Sequence, residues 1–138
     1  MDNIKFETIW VDDSFFQIEI ECNNSYIQSC ACCYVNDFKI DELINSIEGY
    51  LTDSTIEPQW AVGEKDSDLD SVFLKVHKKD LRGHLQIEVY MEIADSAYPK
   101  KQTAHLYVNT ELGCLYEFSK KLKTLKNHTV ETVVSLNN

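Results

Sequence analysis

The chain of 138 residues has the length of one domain, 1–138, and can bury most of its apolar surface around a single core. Its content of 43% hydrophobic and 26% charged residues is typical of a globular protein and argues against a disordered chain. The net charge of −10 argues against nucleic acid as a direct ligand, because a phosphate backbone needs a basic footprint. It disfavours an anionic membrane for the same reason.

The acidic charge is concentrated in the first half of the chain. Residues 1–70 contain 16 acidic side chains and 3 lysines, whereas residues 71–138 contain 7 acidic and 10 basic side chains. A surface with such an excess of carboxylates can serve solubility alone, or it can attract a basic partner and speed its encounter.

The sequence also indicates a cellular compartment. The first residues, Met1–Lys5, do not form a basic segment leading into an apolar run, and no stretch approaches the ~20 apolar residues of a membrane span. Five cysteines are an odd number, and the crowding of Cys30, Cys32 and Cys33 suits a disulfide framework poorly. We therefore expect a soluble cytoplasmic protein with reduced thiols.

The first third of the chain predicts a β-meander followed by a helix. Phe6–Val11 and Phe15–Cys22 are rich in β-branched and aromatic residues and flank a turn-prone tripeptide at 12–14, so they predict a hairpin. Ser25–Val35 should return as a third antiparallel strand. Apolar residues at helical spacing then predict an amphipathic helix over 39–51.

The middle of the chain predicts a loop and a second meander. Residues 52–70 are mostly polar, with room for one short strand at 60–62. Ser71–Lys78 and His84–Ala94 alternate apolar and polar residues and form the clearest hairpin pattern in the sequence. Lys101–Thr110 repeats the alternation and predicts the next strand.

A return to helical spacing predicts a second amphipathic helix over 112–125, and Val130–Leu136 can add a last strand. The predicted order is therefore βββ-α-ββββ-α. It indicates an α+β fold with a mainly antiparallel β-meander sheet of six to seven strands and two helices packed on one face.

Histidines and cysteines offer the clearest candidates for chemistry. The expected turn places His77 opposite His84, and His105 opposite Tyr90, so a histidine pair across the ladder could bind a metal or act as acid and base. Both histidines of the first pair are expected on a polar, solvated face. The Cys30–Cys33 cluster lacks the spaced ligand pairs of a zinc site, and small cysteines commonly fill a packed sheet.

The sequence contains no Gly-rich phosphate loop, nucleophile elbow or HExxH helix. Its paired carboxylates fall on turns and on the polar faces of strands, where charge usually serves solubility. We therefore expect neither catalysis nor a cofactor.

Charge alone selects the candidate partner-binding residues. They are the acids of the first predicted turn and of the long loop, namely Asp12, Asp13, Glu64, Asp66, Asp68 and Asp70. Aromatic residues beside them, such as Phe15 and Trp60, can supply interface anchors or belong to the core.

Three segments carry a resemblance to a known family. Trp10–Phe15, Gly83–Glu92 and Leu115–Leu122, in this order and spacing, resemble the corresponding parts of small bacterial proteins of the WapI-like immunity group. Proteins of this group are encoded beside polymorphic or contact-dependent toxins and protect the producing cell by binding the toxin domain. The resemblance implies an inhibitor and not an enzyme.

These observations favour an immunity protein that docks an acidic surface on a cognate toxin domain, such as a basic nuclease, and blocks the access of its substrate. Two alternatives remain open. One is a small metal-dependent or hydrolytic enzyme that uses His77 and His84. The other is an inhibitor from a mobile element that mimics nucleic acid with its carboxylates.

Overall fold

A computed structural model describes residues 1–64 and 67–137 of the chain. Within them lie eight strands, two α-helices and one 3-10 helix, Leu122–Asn127. The strands are β1 (Asn3–Val11), β2 (Phe16–Asn23), β3 (Gln28–Val35), β4 (Gln59–Gly63), β5 (Ser71–Lys78), β6 (His84–Ile93), β7 (Gln102–Glu111) and β8 (Val133–Ser135). The helices are α1 (Asp37–Thr52) and α2 (Leu112–Lys121). None of the described helices is long and apolar enough to cross a membrane.

The predicted α+β class and the order of elements are confirmed, but the strands form two sheets instead of one. The first sheet has the order β3-β2-β1-β8 and the second has the order β4-β5-β6-β7, and all their pairs are antiparallel. The count of eight strands exceeds the expected six to seven because the short pieces β4 and β8 both pair.

The sheet divides where the meander is interrupted by α1. A short connection joins the consecutive strands within β1–β3 and within β4–β7, but 23 residues separate the end of β3 from the start of β4, and α1 occupies most of them. The free edge of β1 is taken by β8, which pairs Phe6 with Val134. A second meander therefore forms its own sheet, and its apolar face packs against that of the first.

Phe6 lies at the centre of the core that both sheets share. Its ring stacks on Trp60 of β4 at 5.7 Å and meets the edge of Phe118 of α2 at 5.6 Å. These contacts join the first sheet, the second sheet and a helix through three aromatic rings. Aromatic pairs of this geometry stabilise beyond the area that they bury.

Asp70 connects the two sheets by hydrogen bonds, and we call this arrangement the Asp70 bridge. Its Oδ2 accepts the N–H of Cys32 in β3 at 2.9 Å, and its Oδ1 accepts the N–H of Ala94 after β6 at 2.8 Å. Gly63 permits the approach, since its φ is +78° and a Cβ there would lie 2.1 Å from the Asp70 carbonyl oxygen. The bridge also occupies an outward N–H of edge strand β3, which protects that edge from pairing.

The helix boundaries differ slightly from those expected. The helix predicted over 39–51 begins earlier, at Asp37, because the Asn36 side chain accepts the N–H of Lys39 at 3.0 Å and caps it. The helix predicted over 112–125 is α2, and the 3-10 helix continues it. The last strand is only three residues long, at Val133–Ser135.

We predict that Asp70→Ala lowers the free energy of unfolding by about 2–4 kcal/mol, because two N–H groups lose a charged acceptor. Asp70→Asn, which keeps one acceptor oxygen, should lose less. Asp68→Ala is the matched control: this exposed neighbour should change stability by under ~0.5 kcal/mol. Urea unfolding measures all three, and equal stability of the Asp70→Ala and Asp68→Ala variants would contradict the bridge.

Candidate functional site

A β-bulge in β1 brings Trp10 to the protein surface. Thr8 pairs with Ile18, but the next pair is Trp10 with Gln17, so Ile9 is an extra residue without a partner in the ladder. A regular strand would turn Trp10 to the same side as the buried Thr8. The bulge instead places Trp10 beside Gln17 on the outer face of the first sheet, and bulges often re-aim a side chain in this way.

Trp10 and Tyr34 form an exposed aromatic pair. Gln17 lies between them in the ladder, since it pairs with Trp10 on β1 and with Tyr34 on β3. The two rings meet edge to face at 5.9 Å, and the residues are 44% and 55% exposed. Trp and Tyr are enriched among the residues that dominate protein interfaces, so this pair is a candidate anchor.

The predicted contacts Asp12 and Asp13 lie on the hairpin turn directly after Trp10 and Val11. Asp12 Oδ1 accepts the N–H groups of Phe15 at 2.7 Å and Ser14 at 2.8 Å, and these bonds lower the pKa of its carboxyl. Asp12 therefore builds the turn and stays ionised, while Asp13 is exposed. Phe15 is 51% exposed beside them, as an interface anchor requires.

An open cleft of about 510 Å³ is lined by Tyr34 and its neighbours on β3 and by the loop before β5. Glu64 and Asp68 are exposed residues of its lining, and Asp70 lines it while holding the two sheets together. None of the described residues that line the cleft is basic. Asp66, the remaining predicted contact, lies outside the described residues.

The structure thus brings most of the predicted acids to one region. Tyr34 of the aromatic pair lines the cleft, and the Asp12–Asp13 turn begins two residues after Trp10, just beyond the end of β1. We call this region the aromatic–acidic surface. It comprises Trp10, Asp12, Asp13, Tyr34, Glu64 and Asp68. Asp70 is left out of it, since both of its carboxylate oxygens already accept backbone hydrogen bonds.

Of the two aromatic residues that the sequence suggests as anchors, Phe15 is exposed and Trp60 is not. Trp60 is only 4% exposed, and its indole N–H donates to the Lys39 carbonyl at 2.9 Å, so it belongs to the core. Trp10 and Tyr34 take the expected place beside the acids. The signal of Trp10 in the sequence is weak, because consecutive Ile9 and Trp10 break the alternation of β1 without showing which of them joins the outer face.

The histidines do not form the expected pair across the second hairpin. His77 lies opposite Gln86, two residues from the predicted His84, whereas the predicted pairing of His105 with Tyr90 is confirmed. His84 Nδ1 instead contacts Asp80 Oδ2 at 2.7 Å. The register differs because Gly83, which adopts φ +88°, ends the turn and shifts its centre by one residue.

Glu88 joins His77 and His105 on the outer face of the second sheet. Its two carboxylate oxygens lie 2.9 Å from His77 Nε2 and 2.8 Å from His105 Nε2. Hydrogen bonds from His77 and then from His105 lower the pKa of the Glu88 carboxyl. Within 1–64 and 67–137, no group of three or more His, Cys, Asp and Glu residues has a geometry that could hold a metal ion.

The crowded cysteines are weak nucleophiles. Cys30 and Cys32 lie on the outer face of β3, where burial and then the negative charge of Glu19 raise the pKa of their thiols. Burial raises the pKa of Cys33 to about 12. Thiolate is the reactive form, so this cluster offers no activated thiol at neutral pH.

Neither protein-family models nor searches of curated proteins and of solved structures give a match to this chain.

We predict that the stabilising effect of Glu88 disappears in acid. The pKa of Glu88 in the folded protein lies below its ordinary value of 4.5, so its contribution is present above that pH and is lost as the pH falls through the folded-state pKa. Urea unfolding of the wild type and of Glu88→Gln should show a clear gap at pH 7 and a smaller gap at pH 3. A gap that does not depend on pH would contradict this account.

Proposed function

We propose that the protein is a cytoplasmic immunity protein, which binds a cognate bacterial toxin domain through the aromatic–acidic surface and thereby neutralises it. The observation that carries the proposal is the exposed Trp10–Tyr34 pair with carboxylates on two sides, at the Asp12–Asp13 turn and along the cleft. The resemblance of three segments to WapI-like immunity proteins also supports it, and one of these segments, Trp10–Phe15, belongs to this surface.

The composition of the surface suits a tight protein interface. Large aromatic side chains supply contact area at its centre, and charged residues around them govern the approach and the selection of a partner. Glu64 and Asp68 are exposed, so they can meet a basic partner at little desolvation cost. A nuclease has a basic substrate site because it binds phosphate, and it is therefore the toxin class that this surface fits best.

Catalysis finds less support in the described residues. His77 and His84 engage different carboxylates, at Glu88 and Asp80, and so do not act as one pair. The cysteines near the cleft have raised thiol pKa values. An inhibitory binding protein uses the exposed features of the first sheet without requiring either group.

We predict that the triple charge reversal Asp13→Lys, Glu64→Lys and Asp68→Lys weakens binding to the toxin domain encoded by the neighbouring gene about 10- to 100-fold at low salt. The loss should shrink as salt is raised, because screening weakens the attraction. Titration calorimetry at two salt concentrations measures both effects. Protection of cells that express the toxin should fall in parallel.

The matched control reverses three exposed acids of the helices, Glu42, Glu48 and Glu117, and changes the net charge by the same amount. It should bind within about threefold of the wild type. If both triple variants lose the same affinity, only net charge matters, and the assigned surface is wrong. If the neighbouring toxin does not bind but a nucleic-acid-binding protein does, the chain is a nucleic-acid mimic and not an immunity protein.

A further inference from the structure

Two carboxylates oppose each other on the outer face of the first sheet. Glu7 of β1 pairs directly with Glu19 of β2 in the ladder. Like charges in this position destabilise a sheet. No other described residue forms a hydrogen bond or ion pair with either carboxylate, and the nearest lysine on this face, Lys5, contacts Glu21 at 3.7 Å instead. Among the described residues, no cation therefore pairs with this position.

The aromatic pair lies one row away on the same face. Trp10, Gln17 and Tyr34 form one row across the strands, and Glu7 and Glu19 form the next. Gln17 and Glu19 are two residues apart on β2, so their side chains point to the same side. Neighbours in such rows are about 7–8 Å apart, within reach of one long side chain. The bulge at Ile9 is what puts Trp10 into this row.

We propose that this part of the first sheet receives an arginine side chain of the protein partner, with the guanidinium between the carboxylates of Glu7 and Glu19 and its stem along Trp10 and Tyr34. The inference rests on the proposed function and names the chemistry of its interface. It enlarges the aromatic–acidic surface by Glu7 and Glu19, which composition alone did not single out.

Arginine fits this arrangement better than lysine does. A guanidinium is planar and offers five donors, so it can bind two carboxylates at once and lie against an aromatic ring. An ammonium is a compact and strongly hydrated charge that gains less from the ring. A contact of the lysine type occurs within the chain, where Lys120 Nζ lies 4.3 Å from the centre of the Tyr116 ring on α2.

The opposed carboxylates give the proposal a distinctive signature. In the free protein, the double variant Glu7→Gln and Glu19→Gln removes repulsion and should raise the urea midpoint of unfolding. The same variant should bind an arginine side chain less well. A pair kept only for the fold would not produce higher stability together with weaker binding.

The probe is a short acetylated and amidated peptide with two arginines between glycines, and its lysine counterpart serves as the comparison. Binding is followed by the indole N–H signals in ¹⁵N–¹H spectra. Trp10 is exposed and reports on the site, whereas buried Trp60 is an internal reference. We expect the Trp10 signal to move, and the arginine peptide to bind about three- to tenfold more tightly than the lysine peptide.

Three variants locate the binding. Trp10→Ala, Tyr34→Ala and the double glutamine variant should each weaken binding of the arginine peptide about three- to tenfold. Tyr26→Ala is the matched control, because Tyr26 is 93% exposed at the opposite end of the same sheet. Urea unfolding of each variant shows whether it is folded. The double glutamine variant keeps the test valid if Trp10→Ala or Tyr34→Ala does not fold.

The proposal is overturned if the arginine peptide leaves the Trp10 signal unmoved, or if Tyr26→Ala weakens binding as much as Trp10→Ala does. It is also overturned if the double glutamine variant binds as the wild type does. The toxin domain is titrated separately. If it binds but the peptide does not, the proposed function stands and the arginine site fails. If the peptide binds at Trp10 but the toxin does not bind, the immunity function fails.

Discussion

The two hydrogen bonds of Asp70 fix how the two sheets lie against each other, and the shape of the binding region depends on them. One carboxylate oxygen holds β3 of the first sheet through Cys32, and the other holds the end of β6 through Ala94. The cleft lies along this connection, with Tyr34 in its lining. Asp70, which was predicted from charge alone as a partner contact, therefore has a structural role. Asp68, two residues earlier, is exposed and remains available for contact.

A second local constraint, the bulge at Ile9, determines which aromatic ring the protein exposes. It lies directly after Thr8, whose buried hydroxyl has no hydrogen-bond partner within the described residues. The strand thus combines an unsatisfied polar group, a break in pairing and an exposed tryptophan within three residues. Features that lower the stability of the fold in this way are common at functional sites, where they position a side chain for a ligand. The opposed Glu7 and Glu19 follow the same pattern one row away.

Much of the fold could be predicted because it depends on short-range patterns. Strict alternation along Leu85–Met91 predicts the end of β6 to within one residue. Helical spacing predicts both ends of α1 to within two residues. The split into two sheets could not be read in this way, because local patterns do not show whether β4 rejoins the first sheet after α1 or starts a second one. The register of His77 was wrong because it depends on where Gly83 takes its positive φ.

The acidic charge of the binding region could be predicted from the sequence, but the aromatic pair at its centre could not. Composition indicates the acidic first half, and Asp12, Asp13, Glu64 and Asp68 do lie around one region. Periodicity cannot distinguish an exposed Trp10 from a buried Trp60, because both stand in runs of three consecutive apolar residues, at 9–11 and 60–62. That distinction requires the bulge for one residue and the packing of Phe6 for the other.

Hydroxyl-radical footprinting of the protein, free and bound to the toxin domain of the neighbouring gene, tests the central claim most directly, because it reports the exposure of individual side chains. The account predicts that Trp10, Phe15 and Tyr34 become protected in the complex, while Tyr26 and Tyr116 keep their reactivity. Protection of Tyr90 and Tyr107 on the second sheet, with Trp10 and Tyr34 unchanged, would contradict it.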